Sequence, residues 1–337
     1  MCISRVSDTC SDGQHPEAMP ELILHHFAAS PFSEKLRLIL GYKQLSWKSV
    51  TVPGIMPKPD VVALTGGYRR TPFLQIGADI YCDTALVCEV LERLQPKPSL
   101  YPRPDDTMAR ILAQWADSTL FWAAVTYNRG PKGAGARFGG ALSELPTAIF
   151  EDRKAMGFDV EWLQPADAAP AYRAYLQRID RLLQHQPYLL GPTPSIADFC
   201  AYHPLWLVHQ RSPAAVDILQ HTPALTQWLD RIRAIGHGNF EPIDAAQAIA
   251  TAEQAEPALP GLGLLPDTGF VNEHGISLGS RVRISAESFG REPSEGSLVA
   301  ATASHYSLRR TDPRAGHVHV HFPRIGYVLK RVEHEAA

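Results

Sequence analysis

Apolar positions change their spacing twice along this chain of 337 residues. From residue 21 to 95 short apolar runs alternate with turn-forming residues, from 105 to 255 apolar residues recur every three or four positions, and from 268 short β-branched runs alternate with turns. In the first stretch, residues 21–27 read as a buried strand. Ser30 and Pro31 then open a helix, because serine is a favoured N-cap and proline a favoured first helical residue, and it runs through Leu36, Ile39 and Leu40. A second strand fits 47–52. Pro53, Pro57 and Pro59 break the pattern, Gly66-Gly67 marks a turn, and 71–76 is extended again. Gly77-Ala78-Asp79 reads as a hairpin turn into Ile80 and Tyr81, after which Asp83 or Thr84 caps a helix whose apolar face carries Leu86, Val87, Val90 and Leu91. The order is βαβ followed by ββα.

A proline-rich linker at 95–104 leads to helices predicted over 105–127, 146–156, 168–183, 195–208 and 223–235, with a further one over 242–255. Pro257, Pro260, Gly261, Gly263 and Pro266 form a second linker, beyond which strands are predicted over 281–284, 297–301, 306–308, 317–321 and 327–332. The expected organisation is a flexible leader (1–20), an α/β domain (21–95), an all-α domain (104–255) and a small β-barrel or sheet module (268–334).

Hydrophobic residues at 45% and charged residues at 20% give the balance of a folded globular protein. A formal charge of −3 and a pI near 6.5 create no strong field of either sign, so nucleic acid and anionic membranes are not expected partners. The sequence has no stretch of about 18 uninterrupted apolar residues, so no membrane span is predicted. Cys2, Cys10, Cys82, Cys88 and Cys200 are odd in number and contain no CxxC pair or metal-ligand spacing, which points to reduced thiols. The polar start of the chain lacks the apolar core of a secretory signal, and the expected compartment is the cytoplasm.

Three segments give the chain a resemblance to the cytosolic glutathione S-transferases, within the thioredoxin superfamily. Ser30-Pro31-Phe32 is similar to the S/C-P-F/Y segment that opens the first helix in several classes, Arg70-Thr71-Pro72-Phe73-Leu74 to the segment ending in cis-proline, and Asp83-Thr84-Ala85-Leu86 to the E/D-S-x-A-I motif. The resemblance implies that Ser30 contacts the glutathione sulfur as the catalytic residue. It also implies that Arg70, Thr71 and Pro72 border the cysteinyl backbone, and that Asp83 and Thr84 hold the γ-glutamyl group. Chemistry agrees with this assignment: a free thiol with a pKa near 8.5 is mostly protonated at neutral pH, and a hydroxyl at a helix N-terminus favours the thiolate. Ser195-Ile196-Ala197-Asp198 resembles the family's capping box at the buried core helix. Phe32, Trp115, Phe121, Trp122 and Tyr127 are candidates for the pocket that takes the electrophile, and the glycine- and arginine-rich stretch 130–140 is a candidate lid.

The chain departs from the family's pattern in several places. No cysteine stands at Ser30, so thiol–disulfide exchange is disfavoured, and His25, His26 and Phe27 occupy the stretch where other classes carry a tyrosine; Ser33 is the fallback hydroxyl. His317, His319 and His321 alternate on one strand and share a face, but the outer two are about 13 Å apart at about 3.3 Å per residue, so a polar sheet face is expected ahead of a metal site, and no metal cofactor is assigned. The long form with Gly66-Gly67-Tyr68-Arg69-Arg70 and trailing strands resembles a bacterial subgroup of transferase-like proteins. The implied activity is conjugation of glutathione, as co-substrate, to a small electrophile by a homodimeric enzyme of the detoxification type. The alternatives are glutathione-dependent isomerisation or dehalogenation, a metal-dependent activity on the histidine strand, and a non-catalytic binding protein acting through the β module.

Overall fold

The computed structural model describes residues 19–102, 107–129, 147–157, 165–211, 218–259, 263–265, 269–271 and 273–332. The leader as far as residue 18, the 130–140 stretch and residues 333–334 lie outside the described residues. The N-terminal part runs β1 (Ile23–His26), α1 (Pro31–Tyr42), β2 (Trp47–Thr51), α2 (Pro59–Thr65), β3 (Phe73–Ile76), β4 (Asp79–Cys82) and α3 (Thr84–Leu94). Strand β1 pairs in parallel with β2 and antiparallel with β3. Between β3 and β4 the turn is closed by Gly77, whose φ of 56° suits a residue without a side chain. Helix α2 was not expected: seven residues among prolines carry too little periodicity to announce a helix, yet its one proline, Pro59, stands at the start, where it is tolerated.

Alternation along these strands builds two cores. Leu22, Leu24, Leu74 and Tyr81 face α1, α3 and the helical domain, while Ile23, Phe73, Ile80 and Cys82 face a second core on the opposite side of the sheet. Both faces are covered, which is why these strands read as continuous apolar runs.

The helical domain contains α4 (Thr107–Trp115), a π-helical turn (Ala116–Leu120), α5 (Phe121–Arg129), α6 (Thr147–Ala155), α7 (Pro165–Leu183), α8 (Ile196–Arg211) and α9 (Pro223–Arg233). The uninterrupted helix expected over 105–127 is therefore broken by a wider turn, in which Phe121 N donates to Ala116 O. At the start of α8, Asp198 is fully buried and accepts from Ser195 N, Ser195 Oγ, Leu189 N and Trp228 Nε1 at 2.8–2.9 Å. The expected box is thus one-sided, because the Ser195 hydroxyl serves the carboxylate instead of the Asp198 amide. Four donors compensate a buried charge that would otherwise be costly.

The helix expected over 242–255 starts three residues late. Residues Phe240–Ile243 form β5, an edge strand parallel to β2, which accommodates Pro242, and Asp244 caps α10 (Ala245–Glu253) with a reciprocal box to Gln247. The remaining strands are β6 (Arg281–Ala286), β7 (Ser294–Ala301), β8 (His305–Asp312), β9 (Gly316–Pro323) and β10 (Tyr327–Arg331). They do not form a separate barrel. Strand β9 pairs in parallel with β4, aligning Asp79 with His319 and Tyr81 with His321, so the described strands form one ten-stranded sheet in the order β10-β6-β7-β8-β9-β4-β3-β1-β2-β5. Val318, Val320 and Phe322 of β9 join the second core.

Candidate glutathione site

Ser30, Thr71 and Asp83 stand at chain positions where helices and strands end, so their polar groups are left for other partners. Ser30 caps α1, its Oγ accepting from Ser33 N at 3.2 Å, and its hydroxyl donates to Thr71 O over 3.5 Å, a long and weak bond. Thr71 precedes Pro72 through a cis peptide bond. Asp83 caps α3, its Oδ1 accepting from Ala85 N at 3.0 Å. All of these, with Phe32, Arg70, Pro72, Thr84 and Trp122, line one cavity of about 830 Å³ bounded by the first domain, the helical domain and the C-terminal strands. Trp115 and Tyr127 do not line it. Trp115 packs edge-on against Tyr175, and Tyr127 stacks on Tyr172, both of α7, since these positions turn toward the helical core. Ser33 is fully buried, does not line the cavity, and its hydroxyl has no hydrogen-bond partner among the described residues.

Aromatic side chains form a continuous wall of the cavity. Phe32 contacts Phe121 with ring centres 4.8 Å apart, Phe121 meets Trp122 at 5.3 Å, and Trp122 meets Phe289 at 5.5 Å. Phe289 comes from the β6–β7 connection and no local sequence signal assigned it to a pocket.

Beside that wall the cavity is also lined by an ion pair that the sequence did not announce. Lys35, with no exposed surface, donates from Nζ to Asp117 Oδ2 at 2.6 Å, and Asp117 Oδ1 pairs with His203 Nε2 at 2.8 Å. Asp117 sits in the π-helical turn, a frequent companion of functional sites. Burial alone would raise its pKa, but Lys35 and His203 outweigh it and lower the carboxyl to about 2. Burial also holds His203 down, to about 4, against the pull of Asp117, so a neutral imidazole donates from Nε2.

The cavity is lined by six cations, and four of them pair with carboxylates: Lys35 with Asp117, Arg69 with Asp152 and Glu292, Arg110 with Glu89, and Arg153 with Asp152. Lys58 and Arg70 have no ion pair among the described residues. Lys58 is buried and donates to Arg69 O at 3.2 Å; burial first, then Arg153 and Arg69, lower its pKa to about 8. Arg70 Nε has no hydrogen-bond partner. Glutathione carries two carboxylates, one ammonium and one thiol, and the cavity offers two cations without acids, Asp83, and the Ser30 hydroxyl. The residues present fit that ligand.

Cys82, Cys88 and Cys200 are buried free thiols; burial raises all three, Cys88 to about 12. The histidine strand divides. His317 is exposed and pairs with Thr311, whereas His321 is locked between Ser307 Oγ at 2.7 Å and Asp79 Oδ1 at 2.9 Å and stacks on Tyr81, fastening β9 to β4. Among the described residues no group of three or more His, Cys, Asp or Glu side chains could hold a metal ion, and no helix is long and apolar enough to cross a membrane.

Comparison with known proteins adds independent findings. The family description "Glutathione S-transferase, N-terminal domain" matches residues 24–99, and "Glutathione S-transferase, C-terminal domain" matches 150–231. A GST-like protein from Pseudomonas syringae is 40% identical, aligns over 93% of this chain and 100% of its own, and superposes with a TM-score of 0.75. FtsZ-localized protein A of Caulobacter vibrioides is 25% identical over 186 residues, 54% of this chain and 74% of that protein. A glutathione S-transferase from Rhodospirillum rubrum F11 is 20% identical over 63% of this chain and 88% of its own, with a TM-score of 0.47. With a relative this similar along almost the whole length, and both halves of the fold matched, the chain belongs to the glutathione S-transferase family.

Proposed function

We propose that the protein activates the thiol of glutathione for addition to a small electrophile, conjugation being the favoured outcome over isomerisation or dehalogenation. The observation that carries this reading is the charge inventory of the cavity: two cations without ion-pair partners among the described residues, one acid at a helix N-terminus and one weakly held hydroxyl, in a cavity that also has an aromatic wall. Ser30 would turn its O–H from Thr71 O to the sulfur and favour the thiolate, at little cost because the 3.5 Å bond is weak. Asp83 would hold the ammonium, Lys58 and Arg70 the carboxylates, and Thr71 the peptide backbone. Phe32, Phe121, Trp122 and Phe289 would exclude water from the electrophile. The reading includes a homodimer in the cytoplasm.

Calorimetry with glutathione tests the assignment. Wild type is expected to bind, and Asp83→Ala to bind about 10- to 100-fold more weakly, the range for losing a hydrogen bond to a charged group. No binding by wild type at millimolar glutathione would sink the reading.

Lys58 gives a pH signature. An anion beside it favours the charged form and raises its pKa above the free value of about 8, so binding takes up a proton. Affinity for S-methylglutathione, which has no thiol to titrate, is expected to be full below that value and to fall as pH climbs past it; Lys58→Met should bind more weakly and keep only the fall that deprotonation of the ligand's own ammonium causes.

A second reading is favoured by one relative. FtsZ-localized protein A is named for its location on another protein, which supports a binding role in which the glutathione fold serves recognition. Glutathione affinity without turnover of chlorodinitrobenzene or related electrophiles would favour it.

A further inference from the structure

Strand β10 lies five strand spacings from β4 in the sheet order, which for a flat sheet would be about 24 Å at about 4.8 Å each. Yet Tyr327, the first residue of β10, donates from its hydroxyl to Asp83 Oδ2 at 3.0 Å, immediately after β4. The C-terminal half of the sheet therefore curls back over the cavity. We propose that these strands complete the glutathione site: Tyr327 is the positioning residue for Asp83, and together with the 288–289 turn, which holds Arg70, it forms a clamp for a free α-amino acid head, the γ-glutamyl end of the ligand. The proposal rests on the glutathione reading above.

Asp83 needs positioning. Its φ of 74° and ψ of 135° lie where residues with a side chain are rarely found, so surrounding contacts must hold it there. They are few and specific. Asp83 N donates to the Tyr68 hydroxyl at 3.2 Å, Oδ1 accepts from Ala85 N, and Oδ2 accepts from Tyr327. Tyr68 and Tyr327 are each only 4% exposed, with ring centres 6.5 Å apart. Burial, reinforced by Asp83, pushes both phenols well above their ordinary range, so each keeps its proton.

Arg70 is held from the same side. Its guanidinium donates to Phe289 O and to Ser288 Oγ at 3.2 Å, and lies 4.3 Å from the Phe289 ring centre and 5.9 Å from that of Tyr327. A cation and a carboxylate thus flank one tyrosine, the arrangement that an ammonium and a carboxylate on one carbon would match. The strands also grip the segment that leads to Arg70. Ser294 Oγ donates to Thr65 O at 2.6 Å and accepts from Tyr68 N at 3.2 Å, Arg310 donates to Ala63 O, and Glu292 pairs with Arg69. Gly67 permits this approach, since a Cβ there would stand 2.0 Å from Pro293 O.

The test is calorimetry of wild type and Tyr327→Phe with glutathione and with glutathione acetylated on the γ-glutamyl amine, together with thiolate absorbance of the bound ligand across pH. Wild type should bind glutathione and reject the acetylated form. Tyr327→Phe should bind glutathione about five- to tenfold more weakly, as expected for one hydrogen bond, with the bound thiol pKa unchanged because Ser30 is untouched. If wild type binds no glutathione, the underlying reading fails and takes this proposal with it. If wild type binds but Tyr327→Phe matches it, the positioning role is overturned while the glutathione reading survives. Equal binding of the acetylated ligand by wild type, which needs no variant, overturns the clamp. A Tyr327→Phe protein that loses affinity and shifts the thiol pKa together would show a general disturbance instead of positioning, and would also overturn it.

Discussion

Replacing Asp117 with alanine is expected to destabilise the protein by about 3–5 kcal/mol, the usual loss when one partner of a buried pair is removed and the other stays behind uncompensated. Lys35 is fully buried, and without Asp117 its remaining neighbours are Cys200 Sγ at 3.6 Å and the Phe32 ring at 5.1 Å, neither of which neutralises an ammonium. His203 would lose its acceptor at the same moment. The pair joins α1 of the first domain to the π-helical turn of the second, so the variant should also loosen the angle between the domains and the cavity they enclose. Denaturant midpoints at neutral pH measure the loss. The double substitution Lys35→Met with Asp117→Leu, which removes both charges and keeps apolar volume, should recover most of it. If the single variant is as stable as wild type, the Lys35 ammonium finds a compensation that its complete burial and 2.6 Å contact do not imply.

Removing the Ser30 hydroxyl should have the largest effect on chemistry. A hydrogen bond to a charged group contributes about 1.5–3 kcal/mol, which is about 10- to 100-fold in kcat/KM and about one to two units in the pKa of the bound thiol. Ser30→Ala removes two things at once, because Oγ also caps α1 through Ser33 N. Ser30→Gly separates them, since glycine costs a helix N-terminus only a few tenths of a kcal/mol. Both variants should lose rate equally, with little change in glutathione affinity, while only alanine lowers stability by about 1 kcal/mol. Stopped-flow conjugation and thermal melts on the two variants decide this. Full activity in Ser30→Gly would move the thiol contact to another group of the cavity.

The first domain and its three candidate segments were legible because each is a local signal. Ser30 and Pro31 mark a helix start within two residues, Gly77 and Ala78 close a hairpin between adjacent strands, and Asp83 caps the helix that follows it. In these three segments the interaction that sets the local structure lies within four residues along the chain, and the sequence carries it. Phe32 and Trp122 could be named as pocket residues but not distinguished from Trp115 and Tyr127, because aromatic spacing on a helix does not say which neighbour each side faces.

Helix α2, strand β5 and the π-helical turn escaped for a different reason. A seven-residue helix among prolines, a four-residue edge strand containing Pro242 and a single wider turn are each weak local signals, and their partners lie far along the chain: α2 meets β9, β5 pairs with β2, and Asp117 of the turn meets Lys35. The deepest gap concerns the last strands. Their number and approximate limits were readable from alternation, but their destination was not: β9 adds to β4 across more than 230 residues, and Tyr327 meets Asp83 over a separation of 244. By itself, then, the sequence determined a thioredoxin-like domain, a helical domain, a strand-rich end and the local motifs of a candidate thiol site. Only the tertiary structure decided that the strand-rich end closes over that site and that Lys35 and Asp117 join the domains. Alternation and capping fix what a segment becomes and which face it hides, whereas pairing between distant segments depends on the complementarity of whole surfaces, which no window of sequence contains.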